Sequence, residues 1–153
     1  MHDRYVTVSE SGNGPYGQFI TSGHHVFGAD EPLSLGGQDT GPDPHELVLA
    51  GLGSCTAMTI RMYARKKNIA LTRIEVRLRH VQHAGRDMRD KFERQITLVG
   101  DLSLEERRRL LEIAERCPVS QTLQRSSEIR SVLTDDAAVV PEKSSEAARL
   151  TST

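Results

Sequence analysis

A chain of 153 residues with 37% apolar residues can bury one substantial core, so its size argues for one domain and against two. Its 20 basic and 21 acidic side chains leave a net charge of −1, which removes the electrostatic case for nucleic acid or an anionic membrane as partner. With no tryptophan, three tyrosines and three phenylalanines, it also has little with which to stack unpaired bases.

The opening MHDRYVTVSE lacks the basic-then-apolar order of a secretion signal, and no unbroken apolar run reaches the roughly 18 residues of a membrane span. The expectation is a cytoplasmic protein. Short strands are expected at 4–9 (RYVTVS), 18–22 (QFITS) and 24–27 (HHVF), with SGNGP at 11–15 as a hairpin turn. The polar, turn-rich stretch 29–44 is long enough to be a functional loop rather than a simple connector.

A long helix begins at Asp43, with Pro44 in its first turn and Glu46 three residues after the cap, the acidic form of a capping box. Leu47, Leu49, Ala50, Leu52, Ala57, Met58 and Ile60 occupy most of its circumference, which places it in the centre of a fold or between subunits. Gly51, Gly53 and Ser54 weaken its helix propensity, and close approach of another backbone is one compensation; Asn68 is a C-terminal stop. TRIEVRLRHVQ at 72–82 and KFERQITLVG at 91–100 alternate apolar and polar residues and pair antiparallel across the charged connector 84–90. A second helix is capped by Ser103 and Glu106, and Pro118 opens a short third helix over 119–124 with Cys117 as its cap. EIRSVLT at 128–134 reads as a final strand. One domain thus spans 1–134, and the polar tail 135–153 is expected to be flexible.

The chemistry turns on Cys55 and Cys117, too few for a disulfide scaffold. Neither has a Cys or His at two to four positions, so no metal ligand set is apparent locally. Both could be small core residues, since free cysteine is often buried. A cap position favours thiolate at Cys117, whereas Cys55, deep in its helix, needs a donor or cation from elsewhere in the chain. His45 and Glu46 lie roughly 13–15 Å before Cys55 along the helix axis, out of reach of their own thiol, so they either are first-turn residues or serve a cysteine of a neighbouring segment or second subunit.

The string GGQDTGPDPHELVLAGLGSCTAMTIRMYARKK, followed by EVRLRH and LSLEERRRLLEIAERCPVSQTL, closely resembles the OsmC/Ohr family of osmotically induced and organic-hydroperoxide-resistance proteins, in particular an OsmC-like branch. The resemblance covers about residues 5–134. It implies an α/β (α+β) fold in which antiparallel sheet wraps around two long central helices, and an intertwined homodimer with active sites at the subunit interface. It further implies a thiol-dependent peroxidase without cofactor or metal, which reduces organic hydroperoxides and is recycled by an external dithiol. Cys55 matches the peroxidatic thiol and Cys117 the resolving thiol. Registered on Cys55, the family's catalytic glutamate position holds His45, with Glu46 one place later. The only arginine before the first helix is Arg4, and the residue after Cys-Pro-Val is Ser120, where many relatives carry His. Those departures keep a second reading open, a non-enzymatic dimer that binds a small apolar or electrophilic ligand at its interface.

Overall fold

A computed structural model describes residues 5–81, 89–125 and 127–134. Arg4, most of the connector at 84–90 and the tail 135–153 lie outside the described residues.

The N-terminal third is an antiparallel meander of β1 (Val6–Glu10), β2 (Gln18–Ser22) and β3 (His25–Ala29), in that spatial order. The SGNGP turn forms as expected: the Ser11 amide donates to the Gly17 carbonyl at 2.9 Å, and Gly12 and Gly14 both take φ near 73°, where a side chain would be strained. β3 starts one residue later than its apolar pattern indicates, because Gly23 and His24 form the two-residue turn between the paired Ser22 and His25.

The long loop that follows is organised by one buried carboxylate. Asp30 accepts hydrogen bonds from the amides of Glu31 (2.8 Å), Gln38 (3.1 Å) and Thr40 (3.2 Å) and from the Thr40 hydroxyl (2.8 Å). Four donors around one charge hold the chain on its way to the first helix. Led by the Thr40 hydroxyl and opposed by burial, these bonds lower the ionisation of Asp30 below the ordinary carboxylate value.

α1 (Pro44–Lys66) opens with the expected reciprocal box: the Glu46 amide donates to Asp43 at 2.9 Å, and the Asp43 amide to Glu46 at 3.0 Å. It ends beside Asn68, which takes the left-handed φ of 54° that stops a helix. Averaged over 18 residues α1 is long and apolar enough to cross a membrane, although it has no unbroken apolar run of that length. Its buried stripe of Leu52, Gly53, Thr56, Ile60 and Ala64 nevertheless packs inside this fold, while Met58 and Met62 on other faces stay exposed.

The stripe rests on a hairpin of β4 (Leu71–Val81) and β5 (Lys91–Gly100), paired antiparallel so that Val76 faces Ile96, Leu78 faces Arg94 and His80 faces Phe92. Alternate burial along both strands is the signature of a sheet covered on one side. α1 and the hairpin are pinned by Arg61, whose guanidinium donates to the Leu71 carbonyl and, at 3.1 Å, to that of Thr72. α2 (Leu104–Ala114), with the Ser103–Glu106 capping box, then lays Leu110 and Ala114 against Ile60, Ala64 and Leu71 to complete the core. α3 (Pro118–Gln124) follows at once, capped by Cys117.

The class is therefore α+β with antiparallel strands and central helices, as expected, but among the described residues the strands form two separate sheets of three and two. The final strand is a correction. Residues 127–134 carry no regular structure, and Ile129, Val132 and Leu133 are 88%, 86% and 101% exposed. A segment with β-favouring residues becomes a strand only where a sheet edge receives its backbone, and none does among the described residues.

Candidate active site

Cys55 sits in the third and fourth turns of α1 and Cys117 at the α2–α3 break, 62 positions apart, and packing of α1 against α3 brings their sulfurs into hydrogen-bond contact. Both thiols are free. They differ in access: Cys117 is fully buried, whereas Cys55 is partly exposed.

Pro118, at the first position of α3, brings no N–H and has the fixed backbone angle a helix start needs. The next two amides are then free to face sulfur. That of Val119 lies near both cysteines and that of Ser120 near Cys117, although the Cys117 side chain makes no cap hydrogen bond of ordinary geometry. Around Cys55 burial pushes the thiol up, the hydrogen bond it gives to Cys117 pushes it further, and the Val119 amide and Thr59 hydroxyl only partly compensate. At Cys117 burial also works upward, but it is outweighed by donors: the Cys55 thiol, the Ser120 amide, the Thr56 hydroxyl and the Val119 amide, so its ionisation is lowered. Of the two, the buried sulfur is therefore the more readily ionised and the accessible one the less readily.

Of the expected supporting residues that are described, Ser120 alone comes near the thiols, and through its backbone; its hydroxyl accepts from the Gln124 amide group at 3.3 Å. Glu46 is engaged in the α1 capping box. His45 stacks on His80 with ring centroids 5.2 Å apart, and His80 in turn stacks on Phe92 and pairs with Asp90 at 3.1 Å. His24 and His25, at the β2–β3 turn, are exposed, with ring centroids 4.0 Å apart and planes tilted by 42°. None of these four side chains approaches either thiol within the chain, as the axial spacing on α1 anticipates for His45 and Glu46.

A half-buried cation that the sequence reading passed over bonds to Thr56, the residue after Cys55. Arg94 of β5 is only 12% exposed; its Nη1 donates to the Thr56 hydroxyl at 2.8 Å and to the Ala114 carbonyl at 3.4 Å, and its Nη2 to Glu115 Oε1 at 2.9 Å. The signal was present: Phe92, Ile96 and Leu98 mark the inward register of β5, and Arg94 falls on that register. Thr56, fully buried, donates its own hydroxyl proton to the Leu52 carbonyl one turn earlier, at 2.7 Å. Beside this cluster opens a groove of about 1140 Å³, lined by Leu52, Phe92, Leu123, Arg94 and Ser120 among others. Among the described residues no group of three or more His, Cys, Asp or Glu side chains is arranged to hold a metal.

The family model for OsmC-like protein matches residues 37–132. No curated protein matches the chain in sequence. Among solved structures it is similar to an OsmC like protein from Mycoplasma pneumoniae, with a TM-score of 0.68 and 18% identity over 80% of this chain and 88% of that one. It is also similar to an organic hydroperoxide resistance protein OsmC from Legionella pneumophila, at TM-score 0.63 and 21% identity over 81% and 90% of the two chains. A third is an organic hydroperoxide resistance protein from Elizabethkingia anophelis, at 0.59 and 20% over 80% and 88%. At such identities the likeness is one of fold.

Proposed function

The chain belongs to the OsmC/Ohr family, and from that premise we propose that it is a thiol-dependent peroxidase that reduces organic hydroperoxides through Cys55 and Cys117. The observation that carries the reading is the juxtaposition of two free thiols from distant parts of the chain, one accessible and one buried among donors.

The charge distribution gives each sulfur a task. Cys117 thiolate takes the proton of the Cys55 thiol to which it is hydrogen-bonded, so that nucleophilic charge appears on the accessible sulfur only at the moment of attack. Cys55 thiolate attacks the terminal oxygen of the hydroperoxide; the O–O bond breaks, sulfur becomes sulfenic acid, and the alkoxide takes the proton back from Cys117 to leave as alcohol. Cys117 thiolate then attacks the Cys55 sulfur, forming the disulfide and expelling hydroxide, which solvent protonates to water. An external dithiol restores both thiols. Leu52, Phe92 and Leu123 in the adjoining groove suit the alkyl part of such a substrate.

The working unit in this reading is a homodimer. Val6, Val8, Phe19 and Val26 of the meander are 51–64% exposed, as are Met58 and Met62 of α1 at 63% and 64%, more uncovered apolar surface than a monomer ordinarily keeps. The domain is taken as residues 1–134.

One observation favours the second reading, a dimer that captures a small electrophile without turnover: burial and Cys117 together push the Cys55 thiol up, and the Val119 amide and Thr59 hydroxyl that oppose them carry no charge. Consumption of cumene hydroperoxide under dithiol recycling separates the two. Wild type is expected to turn over, with Cys55→Ser inactive and Cys117→Ser strongly impaired. Wild-type turnover no better than that of both variants defeats the peroxidase.

A further inference from the structure

We propose that the groove beside the thiols selects hydroperoxides that carry a carboxylate, held at its mouth by Arg89, Lys91 and Arg125. The proposal rests on the peroxidase reading for the hydroperoxide alone; recognition of an apolar chain with an anionic end is a property of the groove.

At about 1140 Å³ the groove exceeds the roughly 300–1,000 Å³ of an ordinary small-molecule cleft, so a compact alkyl peroxide leaves much of it to water. Leu52, three residues before Cys55 on α1, and Ser120, three after Cys117, line it close to the thiol-bearing segments, and Phe92 and Leu123 continue its apolar wall. Lys91 opens β5, three residues before the Arg94 that bonds to Thr56, and Arg125 ends α3, five residues after Ser120. At about 3.3 Å per strand residue and 1.5 Å per helix residue, these two cations stand roughly 7–10 Å along their elements from Arg94 and Ser120. A substrate of several carbons spans that interval, with its peroxide toward Cys55 and its anionic end among the cations.

The charges of the lining divide unequally. Its acids are already matched: Asp90 pairs with His80 at 3.1 Å, Glu93 with Arg79, and Glu115 with Arg94 at 2.9 Å. Among the described residues no ion pair or side-chain hydrogen bond engages Arg89, Lys91 or Arg125, and all three are exposed. The uncompensated charge of the groove is thus positive, lies at its mouth, and adjoins apolar walls. That combination complements an amphiphilic anion, whose carboxylate an arginine fork binds with two parallel hydrogen bonds and whose chain gains by leaving water.

The test needs no turnover. Decanoate and decanol, equal in chain length and different in charge, are titrated calorimetrically into the reduced protein at low salt. Decanoate is expected to bind about fivefold more tightly, the effect of exposed charge contacts, and to lose that advantage near 1 M salt, where the Debye length is about 3 Å. Arg89→Gln, Lys91→Gln and Arg125→Gln combined are expected to bring the two ligands to equal affinity, with each single substitution removing part of the difference. Leu123→Ser, in the apolar wall, is expected to weaken both ligands alike, which surface cations acting without the groove would not produce.

Equal binding of the two ligands by wild type overturns the proposal, as does binding of neither. A decanoate advantage that survives in the triple variant, its fold checked by circular dichroism, overturns it as well. Failure of this reading and of the peroxidase are distinguishable: cumene hydroperoxide turnover without a decanoate preference sinks only the cationic mouth, whereas the preference in a protein that consumes no hydroperoxide sinks only the peroxidase.

Discussion

Gly53 is the point where α1 meets the hairpin, and adding one methyl there measures how closely they are seated. A Cβ at Gly53 would lie 2.7 Å from Leu78 Cδ1, about 1 Å inside ordinary carbon–carbon contact, whereas a Cβ at Gly51 meets nothing within 4 Å. In both Gly51→Ala and Gly53→Ala the helix gains about 1 kcal/mol in propensity. Only the second must also displace a partly buried leucine, and overpacking of that kind costs about 1–3 kcal/mol. Gly51→Ala is thus expected to stabilise by about 1 kcal/mol, and Gly53→Ala to range from neutral to about 2 kcal/mol destabilising. Leu78 is the cross-strand partner of Arg94, so the same push is expected to disturb the Arg94–Thr56 bond and reduce hydroperoxide turnover. Urea unfolding at constant m-value reads the first effect and the recycling assay the second. Equal stabilisation by both substitutions would refute the seating of α1 on Leu78.

Treatment of the reduced protein with one equivalent of organic hydroperoxide is expected to remove both free thiols of each chain and to lower its mass by two hydrogens, checked by thiol titration and intact mass; Cys117→Ser should stop at sulfenic acid. Leu110→Ala, which empties a fully buried position between α1 and α2, is expected to destabilise by about 2–5 kcal/mol in the same urea experiment. For Asp30 the folded carboxyl ionises below its unfolded value, so its contribution to stability is complete above the unfolded value, near pH 4, and is lost as pH falls through the lower folded one. Asp30→Asn should therefore be less stable than wild type at neutral pH and should lack that acid-limb loss. Parallel acid limbs in the two proteins would contradict the assignment.

What the sequence by itself determined is whatever short-range physics decides. The Asp43–Glu46 and Ser103–Glu106 boxes, Asn68 as a stop, Pro118 as a start and the paired alternation of β4 and β5 each depend on residues within a few positions of one another. Family motifs around Cys55 and Cys117 were legible for the same reason. Tertiary structure alone decided which groups surround those sulfurs, because Cys55, Arg94 and Cys117 come from a helix, a strand and a break whose distances in sequence carry no geometry. Thus Arg94, on the inward register of β5, meets the Thr56 hydroxyl beside Cys55 only through packing, from a position that no spacing around the cysteines marks. The segment 128–134 shows the converse: its Ile129, Val132 and Leu133 favour a strand, yet a strand needs a partner's hydrogen bonds, and those are set by packing rather than by composition.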